Sequence, residues 1–194
     1  MSQPDVVIFG GGVAGLWLLD ELVRRGHQAI LFEKDRLGTG QTVAAQGIIH
    51  GGLKYSLAGN SDGSALGVRQ MPALWRECLA GRSDPDLRGV RLRSEGCHLW
   101  HGGGLSSRLG FLAAKLGLEV TPQPLAAAER PPLLARHPGG VAWIDEPVID
   151  PVSLLAVLAG RHHERLLLVD PPKIRPTLEG PGRVSGLWVP HPCD

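Results

Sequence analysis

The six residues Gly10-Gly11-Gly12-Val13-Ala14-Gly15 constrain this chain more than any other stretch. They follow a short, wholly apolar run, Val6 to Phe9, which reads as a buried parallel strand. After them come apolar residues at Val13, Leu16, Leu19, Leu22 and Val23, the spacing of a helix with one buried face. Strand, glycine turn and helix in that order give the string G-x-G-x-x-G its meaning as a dinucleotide fingerprint. Gly10 allows the tight turn, Gly12 leaves no side chain between the backbone and a pyrophosphate, and Gly15 lets helix and strand pack closely. The helix start, at Val13 and Ala14, then offers unpaired N–H groups and a partial positive charge to the phosphates.

Gly26 ends this helix, expected over residues 13–25, and residues 29–32 form a second apolar strand. The result is a βαβ opening with a right-handed crossover. Glu33 closes the second strand at the roughly 20-residue spacing where an acidic side chain meets a ribose. There it accepts hydrogen bonds from the ribose hydroxyls and disfavours a 2′-phosphate, so NADP is not expected. The bland reading is a glycine-rich turn with an unrelated surface glutamate, and the complete strand–turn–helix–strand context outweighs it.

The remaining chain carries weaker signals. A glycine-rich, nearly uncharged run spans residues 38–59. Residues 64–79 have helical spacing, with Pro72 marking a kink or a restart. Residues 89–100 alternate like a half-buried strand, and Ser106 or Ser107 is placed to cap a helix through Leu116. Residues 122–140 are rich in proline and alanine and read as irregular, and 141–149 as another strand. Asp150-Pro151 is a helix start, Leu154, Leu155 and Leu158 its buried face, and residues 166–169 a third buried strand. Residues 174–178 and 184–189 fit a hairpin across Gly180-Pro181-Gly182. The expected class is thus α/β, a Rossmann-like domain with an inserted, mostly antiparallel layer.

Composition narrows the function. With 43% hydrophobic and 20% charged residues in 194, the chain has a genuine core. A formal net charge of +1 implies no nucleic-acid partner. Three cysteines, Cys78, Cys97 and Cys193, suit a reducing compartment rather than a disulfide framework. No secretory leader or membrane-spanning run is apparent, so a cytoplasmic protein is expected.

The material after Glu33 separates FAD from NAD. Glu33-Lys34, the Gly38–Gly40 turn and the run QTVAAQGIIHGGLKY from Gln41 to Tyr55 resemble the FAD-dependent oxidoreductases of the D-amino-acid oxidase type. That superfamily includes glycine and sarcosine oxidases, glycerol-3-phosphate dehydrogenase and L-2-hydroxyglutarate oxidase. Residues Ile49 to Tyr55, IHGGLKY, resemble the I-H-G-G-L-R-Y segment of the glycerol-3-phosphate enzymes. Gln41-Thr42 with Gly47-Ile48-Ile49-His50 is similar to the hydroxyglutarate enzymes' Q-T-x-x-N-S-G-V-I-H-x-G, whose Asn-Ser is Ala45-Gln46 here. The resemblance implies FAD as cofactor and a small amino acid, 2-hydroxy acid or polyol phosphate as substrate. It implies that Lys34 belongs to the cofactor site, that Gln41, Thr42, Ala45, Gln46, Gly47 and Ile48 lie along the pyrophosphate, ribityl chain or ring edge, and that Ile174 lies near the adenine. It further implies a FAD-binding domain in two parts, residues 1–80 and 150–194, around a partial substrate domain at 81–149, the whole forming an N-terminal portion of such an enzyme.

His50 is the one histidine in the run from Gln41 to Tyr55. Either it takes a substrate proton as a hydride leaves for the flavin, or it only hydrogen-bonds cofactor or backbone. Cys97-His98-x-x-His101 invites a metal reading, but three clustered ligands before a glycine turn read better as a strand end, and no metal is expected. Two functions from different classes remain: an FAD-dependent oxidase or dehydrogenase, and a non-catalytic dinucleotide-binding module that keeps the fold without a complete active site. An NAD-dependent enzyme is a third, which the run from Gln41 to Tyr55 argues against.

Overall fold

A computed structural model describes residues 3–52, 67–102, 122–169 and 173–189. The chain falls into two compact units, Met1–Ala45 with Pro151–Asp194, and Gln46–Asp150.

The first unit is built on the predicted βαβ opening. Strand β1 (Val6–Phe9), helix α1 (Val13–Arg24) and strand β2 (Ala29–Glu33) follow one another with the expected turns. β1 and β2 are parallel and in register from Val6 opposite Ala29 to Phe9 opposite Phe32. Leu16 and Leu19 of α1 are fully buried, each contributing roughly 2 kcal/mol. The helix closes at Gly26, whose N–H donates to Val23 O while that of His27 donates to Leu22 O. Short helix α2 (Gln41–Ala44) follows.

The chain re-enters this unit through a helix beginning at Pro151, where proline's missing N–H costs nothing. Its buried face, Leu154, Leu155 and Leu158, is the predicted one. Strand β8 (Leu166–Leu168) then joins the sheet parallel to β2, giving the order β1-β2-β8. One expectation is corrected here: β8 is not a buried strand, since Leu168 is 73% exposed. Among the described residues β8 pairs with β2 alone and so forms an edge. The expected hairpin is present as β9 (Arg175–Leu178) and β10 (Val184–Trp188), antiparallel, with an irregularity between Val184 and Gly186.

The second unit holds two antiparallel sheets. β3 (Leu92–Ser94) pairs with β7 (Val148–Ile149), and β6 (Val141–Ile144) lies between β4 (Cys97–Trp100) and β5 (Gln123–Pro124). The single strands expected over 89–100 and 141–149 are therefore each two. The first breaks at Gly96, where a Cβ would lie 2.3 Å from Ile144 O. Residues 122–140 carry β5 and two short 3-10 turns. Helix α3 (Met71–Leu79) starts afresh with Pro72 in its first turn rather than being kinked by it. The helix expected at 106–116 lies outside the described residues. This unit begins at Gln46, ahead of residue 81, because residues 47–49 are bonded to the segment 147–149: Ile49 N–H donates to Pro147 O and Ile149 N–H to Gly47 O, both at 2.9 Å. Among the described residues no helix is long and apolar enough to cross a membrane.

Candidate dinucleotide site and a histidine–carboxylate pair

The glycine turn forms where the β1–β2 ladder ends. Gly10 N–H still donates to Phe32 O at 2.8 Å, and the chain then turns with Gly10 at a φ of +102°, a conformation only glycine adopts without strain. A Cβ on Gly15 would sit 2.0 Å from Gly10 O and 3.3 Å from the Leu31 side chain, so helix and turn touch backbone to backbone. A Cβ on Gly12 would meet only Thr42 Oγ1, at 3.3 Å.

Two side chains brace this turn. Glu33 Oε2 accepts the Gly11 N–H at 2.6 Å, while Oε1 accepts those of Lys34 and Asp35 at 2.8 and 3.2 Å. A carboxylate has about four acceptor sites. With three filled, Glu33 has room for one ribose hydroxyl, and a second displaces an amide. Thr42 Oγ1 accepts the Val13 N–H at 3.0 Å, capping α1 from outside, since its N-cap residue is Gly12 and has no side chain.

Around this turn lies a cavity of about 410 Å³. Gly10, Gly11 and Gly12 form one wall, Glu33 and Lys34 a second, and Gly38 to Thr42 a third. Phe9, Phe32, Arg36 and Leu155 complete it. Amide donors, a helix N-terminus and two basic side chains suit a diphosphate, and Glu33 suits a ribose. The residues present thus fit the adenosine-diphosphate half of FAD. A second cavity of about 780 Å³ in the same unit separates the sheet side chains Val7, Phe9, Ile30 and Phe32 from the hairpin.

Of the cofactor residues expected from sequence, Gly10, Gly12, Glu33, Lys34, Gln41 and Thr42 meet in the first cavity. Val13 lies behind it at the start of α1, bonded to Thr42, with Ala14 exposed and Gly15 packed on the turn. Ile174 lines the second cavity, sharing Phe9 and Phe32 with the first. Ala45 is exposed after α2. Gln46, Gly47, Ile48 and His50 belong to the second unit, where Ile48 forms a β-bridge with Val148. Sequence reasoning missed Arg36 as a cavity residue, although its place between Lys34 and the Gly38 turn was a usable signal.

His50 has the orienting carboxylate that the sequence did not show. Its Nδ1 lies 3.1 Å from Glu146 Oε2, and Glu146 Oε1 accepts the Gly51 N–H at 2.7 Å. Glu146 is only 4% exposed. Beside it, burial and the Glu146 charge push the Cys97 thiol above its ordinary pKa, keeping it protonated, and its S–H donates to the Glu146 carbonyl at 3.5 Å. The neighbouring His98 instead meets Trp143 edge-on, with ring centroids 5.1 Å apart. Cys97 and His98 thus serve separate contacts. Among the described residues no group of three or more His, Cys, Asp and Glu is arranged to hold a metal ion.

Comparison with known proteins supplies the class. The family model described as FAD dependent oxidoreductase, DAO, matches residues 5–165. The chain belongs to this family of FAD-dependent oxidoreductases. It is 41% identical over 190 residues to the probable FAD-dependent oxidoreductase PA4991 of Pseudomonas aeruginosa, covering 96% of this chain and 48% of that protein. The crystal structure of PA4991 superposes with a TM-score of 0.73 at 34% identity, over 97% of this chain and 45% of that one. Shorter matches are to glycine oxidase of Geobacillus kaustophilus, 39% identical over 84 residues (43% of this chain and 22% of that protein), and to glycerol-3-phosphate dehydrogenase 1 of Mycobacterium tuberculosis, 32% identical over 83 residues (43% and 15%). The chain spans about half the length of PA4991.

Proposed function

We propose that this chain is the FAD-holding part of an oxidoreductase that oxidises a small amino acid, 2-hydroxy acid or polyol phosphate. The observation that carries the reading is the cavity in which Gly10, Gly12, Glu33 and Lys34 converge at the start of α1. Similarity to a glycine oxidase and a glycerol-3-phosphate dehydrogenase supports the substrate range. FAD, when bound, supplies the hydride acceptor. The chain's own part is binding and proton transfer. The α1 N-terminus and the Gly12 backbone hold the diphosphate, Lys34 and Arg36 offset its charge, and Glu33 orients the ribose. Residues 1–45 and 151–194 are the cofactor-binding unit, and residues 46–150 the portion that leads to substrate. In the second unit, His50 accepts the proton of the substrate hydroxyl or amine as the carbon-bound hydrogen departs as hydride.

The alternative reading is a module that binds the dinucleotide and turns over no substrate: the cavity assembled in the first unit is lined by residues that suit the dinucleotide. Titrating purified chain with FAD and following the visible spectrum and flavin fluorescence tests the cofactor claim. Saturable binding is expected, weakened about tenfold by Glu33→Ala, the loss of one charged hydrogen bond. A folded chain that takes up no FAD would overturn it. Substrate oxidation assayed on the loaded chain then separates enzyme from module.

A further inference from the structure

The most informative cluster outside the dinucleotide cavity is His50, Gly51 and Glu146. Glu146 is a buried carboxylate, and a buried charge persists only when hydrogen-bonded. Both of its oxygens are used, by two consecutive residues far away in sequence: the separations are 96 positions to His50 and 95 to Gly51. An ionised carboxylate only accepts. The proton on the His50–Glu146 contact therefore belongs to Nδ1, and the neutral ring's free lone pair to Nε2.

We propose that Glu146 is a positioning residue for His50, holding its imidazole in the Nδ1–H form so that Nε2 is the acceptor. This rests on the reading of His50 as the base. A histidine free in water prefers the opposite form, with the proton on Nε2, so the tautomer is imposed by the site. The ring keeps 32% of its side-chain surface exposed while its Nδ1 edge faces the buried carboxylate. When Nε2 takes a substrate proton, the imidazolium that results is paired with Glu146, and the charge gained on the ring is met by one already in place.

A glutamine at 146 makes the proposal sharp. Glutamine has one acceptor oxygen where glutamate has two, and its other terminus is an N–H donor. The buried Gly51 N–H can only donate, so it claims the oxygen. The amide NH₂ then faces His50 Nδ1, which must become the acceptor, and the ring proton moves to Nε2.

The test is ¹⁵N-histidine NMR on the purified chain, at a pH where the ring is neutral, with His50 assigned by loss of its signals in His50→Asn. The wild type should show Nδ1 in the protonated range and Nε2 in the unprotonated range, and Glu146→Gln should reverse them. A wild-type ring protonated on Nε2 overturns the proposal, and so does a folded Glu146→Gln chain that leaves the tautomer unchanged. Should Glu146→Gln fail to fold, the wild-type tautomer decides alone. The measurement needs no cofactor, so a failed FAD titration would overturn the binding reading and leave this result standing.

Discussion

Gly12 and Gly15 sit three residues apart in one motif and answer to different constraints. At Gly15 an added Cβ would stand 2.0 Å from a backbone oxygen, Gly10 O, in a turn already fixed by the ladder beneath it. Backbone cannot step aside as a side-chain end can, so Gly15→Ala should cost at least about 3 kcal/mol. At Gly12 the backbone is extended, with φ −75° and ψ 179°, which alanine adopts freely, and the only near atom is a hydroxyl at 3.3 Å. Gly12→Ala should therefore fold with little loss while placing a methyl group where the proposed function brings the diphosphate. Urea unfolding of both variants, paired with FAD titration, checks this: stability falls for Gly15→Ala and affinity alone for Gly12→Ala. Equal stabilities would refute the packing role given to Gly15. These roles were legible in the sequence because each glycine of the fingerprint answers a local demand. Glu146 was not, because its meaning comes from a partner 96 positions away and nothing in its neighbours signals that contact.

Helix α1 and the helix at Pro151–Arg161 are joined by a charge as well as by leucines. Asp20 is 2% exposed and receives hydrogen bonds from Arg24 Nε at 2.9 Å and from Arg161, the latter at 3.5 Å, while His162 Nε2 lies 3.0 Å away. Burial pushes its carboxyl pKa up, but the hydrogen bonds with Arg24 and His162 and the charges of Arg161 and Arg24 outweigh this and hold it below the usual carboxylate value. A depressed folded-state pKa stabilises above the unfolded pKa, near 3.9 for aspartate, and that contribution is lost as pH falls through the folded value. Stability should thus fall on acidification below about pH 4 more steeply in the wild type than in Asp20→Asn. The variant itself should lose on the order of 3 kcal/mol at neutral pH, since it strands the partners of a buried charge. Denaturant midpoints from pH 3 to 7 measure both, and parallel pH profiles would remove the clamp. Apolar spacing marked both helices, their starts and their buried faces. It could not mark Asp20, which looks like any polar residue on an amphipathic helix until the second helix brings Arg161 and His162 to it.

At the scale of the whole molecule, the α/β class with a mostly antiparallel middle was readable, because periodicity switches between helical and alternating along the chain. The point where one unit gives way to the other was less so. The glycine-rich run looked continuous with the dinucleotide motif, yet at residues 47–49 it is bonded to residues 147–149. Burial of β8 was misjudged for a related reason: an apolar strand is buried only if something covers it, and sequence pattern does not say whether the cover is supplied by the same stretch of chain. Here Phe9, Leu167, Leu168, Leu178, Val184 and Trp188, all in the first unit, are exposed. So many large apolar side chains on one unit exceed the scattered singles that a soluble surface tolerates. Among the described residues β8 and the hairpin also present strand edges, which pair readily with a second chain. The chain should therefore associate as its concentration rises. Leu178 is the place to test this, being 61% exposed on β9 and outside both cavities. Leu178→Lys puts a charge on the hairpin without touching either cavity, and should move the onset of association to roughly several-fold higher concentration. Sedimentation velocity across a concentration series reads the onset directly. FAD titration of the same variant should be unchanged, and a wild-type chain that stays monomeric throughout would show that the exposed leucines carry no such liability.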